Sequence, residues 1–185
     1  MAATHAHRKE VHVQTANRWK LSLGLALFSP LLIGGTIQRA DFNSRLLAAH
    51  NVERARIGVP RLDWDPALAA DARVWAVQLA ATGRFAHSPD EPGKPIEGEN
   101  LWAGTPRAFS PESMVALWAA ERADYQPGVF PNNSRSGDVE NVGHYTQLIW
   151  RNSRRVGCAS AIGRDEEVLV CRYSEAGNII GQRAA

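Results

Sequence analysis

Two carboxylates of this 185-residue chain fall where the surrounding pattern is apolar. Glu121 lies on one helical stripe with Met114, Leu117, Trp118 and Tyr125, and Glu99 alternates in phase with Leu101 in the strand-like stretch EGENLWAG. A buried, unpaired carboxylate costs several kcal/mol, so each needs a partner or a proton. Histidine is the scarce partner. Three of the six histidines (His5, His7, His12) sit in an N-terminal arm that does not read as folded, which leaves His50, His87 in FAHS and His144 in GHYTQLIWRNS. Two histidines converging with two carboxylates would make a site for a divalent cation or for acid–base work. The spacing also fits a plainer arrangement, in which Glu121 reaches out to an arginine and the histidines cap loops.

Other chemistries lack their residues. There is no H-E-x-x-H, no paired C-x-x-C, no phosphate-cradling glycine loop and no G-x-S-x-G. The charge distribution argues against nucleic acid. Residues 1–40 hold five of the 21 Lys and Arg and one of the 19 Asp and Glu, so the remainder carries 16 against 18 and is mildly acidic.

The basic arm leads into LSLGLALFSPLLIGG, Leu21 to Gly35, an uncharged run shorter than the roughly 20 residues that span a bilayer and interrupted by Pro30. A positive flank followed by a short apolar run reads as a secretory signal, with an uncleaved anchor as the alternative. Residues 1–40 are therefore assigned to a leader or anchor and 41–185 to one domain outside the cytoplasm. A membrane is a partner only through that segment.

The two cysteines agree with export. GRDE (163–166) is a turn between VGCASAI and VLVCRY, and its centre is the midpoint of Cys158 and Cys171. In an unbulged hairpin the two would lie directly opposite, within disulfide reach. Two free buried thiols are the alternative, expected of a cytosolic chain.

The elements that must position these residues can be read in outline. A helix starts at Asn43 or Ser44 and stops at Gly58. A second is capped by Asp65, opened by Pro66 and ended by Gly83, with Leu68, Ala72, Trp75 and Leu79 as its stripe. A third opens at Ser110–Pro111 and runs on through Tyr125, HYTQLIW is a short helix, and three short strands form a small antiparallel sheet.

GHYTQLIWRNS (143–153), RRVGCA and VLVCRYSEAGN (168–178) closely resemble the signature segments of the CAP superfamily, which includes cysteine-rich secretory proteins, venom antigens and plant pathogenesis-related class 1 proteins. The likeness extends upstream through LLAAHNVERARIG, FAHS, GENLW and WAAERADY, and covers residues 43 to 182. It implies an α+β fold, an α-β-α sandwich around a central antiparallel sheet. It also implies a cavity lined by His87, Glu99, Glu121 and His144, in which the histidines hold a divalent cation, zinc foremost. His50 and Asn51 match the first-helix motif and are expected to be structural, and Tyr145 and Gln147 to be packing or cavity wall. This chain keeps only the hairpin cysteines, so the loop from 126 to 142 is unpinned, and Glu175 stands where many relatives have proline; in this it is similar to bacterial exported members.

The function expected from the resemblance is a secreted, non-enzymatic binding module whose partner is a lipid, a cell-surface component or a protein. The alternative is a metal-assisted hydrolase or peptidase with Glu99 or Glu121 as base. A third reading makes the four residues a buried polar network that fixes the fold.

Overall fold

The computed structural model describes residues 34–90, 93 and 95–185, the first seven by backbone alone. The basic arm and most of the apolar run Leu21–Gly35 lie outside the described residues. Helix α1 (Gly34–Ile57) starts about nine residues before the expected cap. No Gly or Pro interrupts residues 36–57, and the Ser44 hydroxyl donates back to the Asp41 carbonyl (2.9 Å) inside the helix instead of capping one.

Helix α2 (Pro66–Thr82) has the boundaries its sequence dictates. The Asp65 carboxylate accepts from the Ala67 and Leu68 amides, Pro66 has no amide hydrogen to leave unpaired, and Gly83 closes the helix at φ 65° with its N–H on the Leu79 carbonyl. Its buried stripe is Leu68, Ala72, Ala76 and Leu79. The expected Trp75 is only half-buried, because its indole N–H turns to the Ala86 carbonyl, 2.9 Å away. Helix α3 (Pro111–Ala120), capped by Ser110, is shorter than the sequence suggests; the chain tightens into a 3₁₀ turn over Glu121–Ala123 before Tyr125. Helix α4 is the six residues Gly143–Leu148.

The sheet has four strands in the order β1-β3-β4-β2: β1 (Asp63–Trp64), β2 (Gly98–Gly104), β3 (Arg155–Ile162) and β4 (Glu167–Ser174). Three pair antiparallel as expected. The two-residue β1, too short to show a pattern, adds parallel to β3. The β3–β4 register sets Cys158 opposite Cys171 across a 163–166 turn, and the two form a disulfide. Closing a loop of this size contributes about 3 kcal/mol on the chain-entropy view.

Strand alternation divides the core into two. Leu101, Ala103, Val168 and Val170 meet Ala72, Ala76 and Leu79 of α2. On the other face Trp102, Leu169, Cys171 and Tyr173 pack in one cluster with residues of α1, α3 and α4, among them Leu46, Trp118 and Leu148. This is the α-β-α sandwich.

Polar residues pin the second face. The fully buried Arg54 donates to the carbonyls of Pro60, Leu148, Trp150 and Ser153 at 2.6–3.0 Å, tying α1 to the chain that leaves α4. Burial lowers its pKa to about 10, so it stays charged at neutral pH. Asn51 makes a two-way bond with the Leu62 backbone. The Gln147 amide accepts from the Gly177 N–H (2.8 Å) and donates to Ser153, whose hydroxyl reaches the Glu175 carbonyl. It fits only because positions 98 and 177 are glycines: a Cβ there would lie 2.1 Å and 2.7 Å from Gln147 Oε1.

Candidate functional site

His87 follows α2 on a loop held by the Trp75–Ala86 hydrogen bond, and its Nδ1 lies 2.6 Å from Glu99 Oε1. Glu99 sits on the edge strand β2, opposite Arg172 of β4. It accepts from the Ser88 amide at 3.1 Å and is ion-paired with the Arg172 guanidinium at 3.3 Å, a contact without hydrogen-bond alignment. Arg172 also donates to Glu97. Burial acts to raise the Glu99 pKa, but the hydrogen bond and charge of His87, the charge of Arg172 and the Ser88 amide outweigh it. The carboxyl is held below its ordinary value.

The second pair forms where α3 ends. Glu121 Oε1 is 2.7 Å from His144 Nδ1, while Oε2 accepts the backbone N–H of His144 (2.9 Å) and of Tyr145 (3.1 Å). One carboxylate therefore supplies both the ring partner and the first-turn amide partners of α4. The His144 ring lies parallel to Trp118, centroids 6.1 Å apart, and Trp118 is fixed by its own indole bond to the Leu101 carbonyl. His144 is 1% exposed, and its Nε2 is buried with no hydrogen-bond partner among the described residues.

The two pairs flank adjacent residues of β2. Glu99 belongs to the first, and the Asn100 amide donates to the His144 carbonyl at 3.1 Å. Glu121 turns to His144 and the α4 amides, while the neighbouring Arg122 pairs with Glu53 (2.7 Å). His50 stands apart, between the Leu46 carbonyl and the Tyr173 hydroxyl, each at 2.8 Å. With Cys158 and Cys171 it forms the one set of three His, Cys, Asp or Glu ligand atoms lying within 4.8 Å of one another among the described residues. Those sulfurs are bonded to each other, so that set offers no thiolate.

Sequence reading missed Arg172, Asn100 and Tyr173. Arg172 carried a signal: it follows Val168 and Val170 on the buried phase of VLVCRY, an arginine out of place as Glu99 is. Asn100 and Tyr173 carried none, since the pairing that joins them is long-range.

With each Nδ1 against a carboxylate, each imidazole is oriented from behind, as in the carboxylate–histidine pairs that support metal ligands. The unpartnered Nε2 of His144 suits a borderline cation such as zinc. Two imidazoles are fewer protein ligands than either structural or catalytic zinc sites usually have.

A family model described as "CAP: Cysteine-rich secretory protein family" matches residues 47–173. The chain is 40% identical over 136 residues, 73% of it, to a pathogenesis-related protein PR-1 type of Sambucus nigra, covering 77% of that protein. It is 37% identical over 153 residues to pathogenesis-related protein 1B of Nicotiana tabacum, covering 82% of this chain and 86% of that one. Among solved structures, NaASP2 with Zn2+ superposes at a TM-score of 0.67 with 22% identity over 78% of this chain and 84% of that one. Schistosoma mansoni venom allergen-like protein 4 does so at 0.56 with 19% identity, over 78% and 96%. The chain belongs to the CAP, or cysteine-rich secretory protein, family.

Proposed function

We propose that the chain is an exported, non-enzymatic binding module in which His87 and His144, backed by Glu99 and Glu121, hold a divalent cation, zinc foremost. The observation that carries this is the buried, unpartnered Nε2 of His144 on a ring whose Nδ1 is already fixed by Glu121. A bound cation supplies a positive, Lewis-acidic centre able to attract an anionic group of a partner. The protein's own part is to orient the rings, each fixed at Nδ1 by a carboxylate. The solved relative NaASP2 was crystallised with Zn2+, which supports the choice of metal. Export is supported by the hairpin disulfide and by the secretory family to which the chain belongs. Among the described residues no helix is long and apolar enough to cross a membrane.

The hydrolase reading asks Glu99 or Glu121 to act as a base. Both oxygens of Glu121 are engaged by His144 and the α4 amides, and Glu99 is held below its ordinary pKa by His87 and Arg172. Carboxylates so occupied are poor proton acceptors, which favours binding over catalysis. Calorimetric titration of the full chain with zinc tests the proposal. One zinc per chain at micromolar affinity is expected, lost in the His87→Ala/His144→Ala variant while its circular dichroism is unchanged. No binding, or equal binding by the variant, would overturn it.

A further inference from the structure

We infer that Tyr173 and Asn100 are positioning residues for His144, at the end of a buried hydrogen-bond relay that starts in α1; the inference rests on the cation-site reading above. The atoms fix the direction of every bond. The His144 carbonyl can only accept, so the Asn100 atom facing it at 3.1 Å is the amide nitrogen. The same nitrogen lies 3.3 Å from the Tyr173 hydroxyl and can only donate there as well. The Leu46 carbonyl can only accept from His50 Nδ1, which leaves Nε2 of the neutral ring to take the Tyr173 proton, at 2.8 Å. His50 is left with its proton on Nδ1, which donates to the Leu46 carbonyl at 2.8 Å.

One proton order therefore runs Asn100 to Tyr173 to His50 to Leu46, linking β2, β4 and α1 in sequence. His50 and Tyr173 are fully buried and Asn100 is 1% exposed, so water does not compete for these bonds. Burial also lowers the His50 pKa to about 4, in keeping with the neutral ring this order requires.

His144 is thus gripped from two directions. Glu121 holds its ring and amide from the end of α3, and the relay holds its carbonyl from β2. The Asn100 amide has two hydrogens, one for Tyr173 and one for His144, so the geometry of the second bond depends on the first. Removing the Tyr173 oxygen strands an Asn100 hydrogen and the His50 Nε2 lone pair, without touching His87, Glu99, Glu121 or His144.

The full chain as Tyr173→Phe tests this, with Leu79→Ala, a core truncation on the α2 face, as a control for destabilisation alone. Zinc affinity is expected to fall about tenfold in Tyr173→Phe, the lower end for loss of an outer-shell partner, and to hold in Leu79→Ala. Amide hydrogen exchange at His144 and Tyr145, measured without metal, is expected to quicken in Tyr173→Phe beyond the change in global stability, and in Leu79→Ala by no more than that change. Wild-type zinc affinity in Tyr173→Phe, or exchange matching the control, would overturn the inference. A wild-type chain that binds no zinc sinks the cation site instead, and the exchange comparison then decides the positioning by itself. Should Tyr173→Phe fail to fold, Asn100→Ala, which keeps the Tyr173–His50 pair, takes its place in both measurements.

Discussion

His50 and His144 are both buried, and in each Nδ1 lies 2.7–2.8 Å from an oxygen. They differ at the other nitrogen. Nε2 of His50 meets the Tyr173 hydroxyl, whereas Nε2 of His144 has no hydrogen-bond partner among the described residues. Burial alone does not separate a structural histidine from a ligand. Under the proposed function the second nitrogen separates them, because an orphaned buried polar atom costs about 1–3 kcal/mol that a bound cation would relieve.

Several measurements would break or sharpen that contrast. The largest effect is expected at Arg54, one turn along α1 from His50. Arg54→Met strips a charged donor from four carbonyls, and chemical denaturation should show a loss of about 4 kcal/mol or more. A loss under 1 kcal/mol would mean that Arg54 does not anchor α1 to the chain leaving α4. Next, His50→Leu leaves the Tyr173 hydroxyl proton without its acceptor and should cost about 2–3 kcal/mol, while in His144→Leu the removal of an orphaned nitrogen offsets part of the cost of leaving Glu121 Oε1 without its ring partner, so the net loss should be smaller. The reverse order would erase the distinction between the two histidines.

A smaller effect concerns pH. The folded-state pKa of His50, about 4, lies below its ordinary 6.5. Between those values the unfolded chain binds a proton that the folded chain does not, so stability should fall as pH drops through that window, by up to about 1.4 kcal/mol per unit from this group. Urea unfolding from pH 7 to 4.5 should show the slope, and His50→Leu should flatten it by about one proton. An unchanged slope would mean that His50 is protonated inside the fold. The smallest effect is a count: thiol titration of the denatured, unreduced chain should find no free cysteine.

The sequence made these features legible unevenly. Local grammar was readable: Asp65–Pro66 and Gly83 bound α2, and the turn midway between Cys158 and Cys171 fixed their register. The candidate residues stood out because Glu99 and Glu121 interrupt apolar phases. Which histidine joins which carboxylate was not readable, since it depends on β2 pairing with β4 and on α4 reaching the end of α3. The same holds for Arg54, whose acceptors are backbone atoms up to 99 residues away and leave no side-chain signature. The early start of α1 escaped because a good capping residue, Ser44, is used within the helix.

The seat of Gln147 has a consequence for how such a chain can change over time. The glutamine and the glycines at 98 and 177 exclude one another's alternatives: a methyl at either glycine collides with an amide locked by its own bonds, and a shorter residue at 147 leaves the Gly177 N–H without its acceptor. Three positions, in β2, α4 and the C-terminal segment, are tied into a single inherited unit. Descendants of this sequence can leave that state only through an intermediate less stable than either end, so the trio should drift together or not at all.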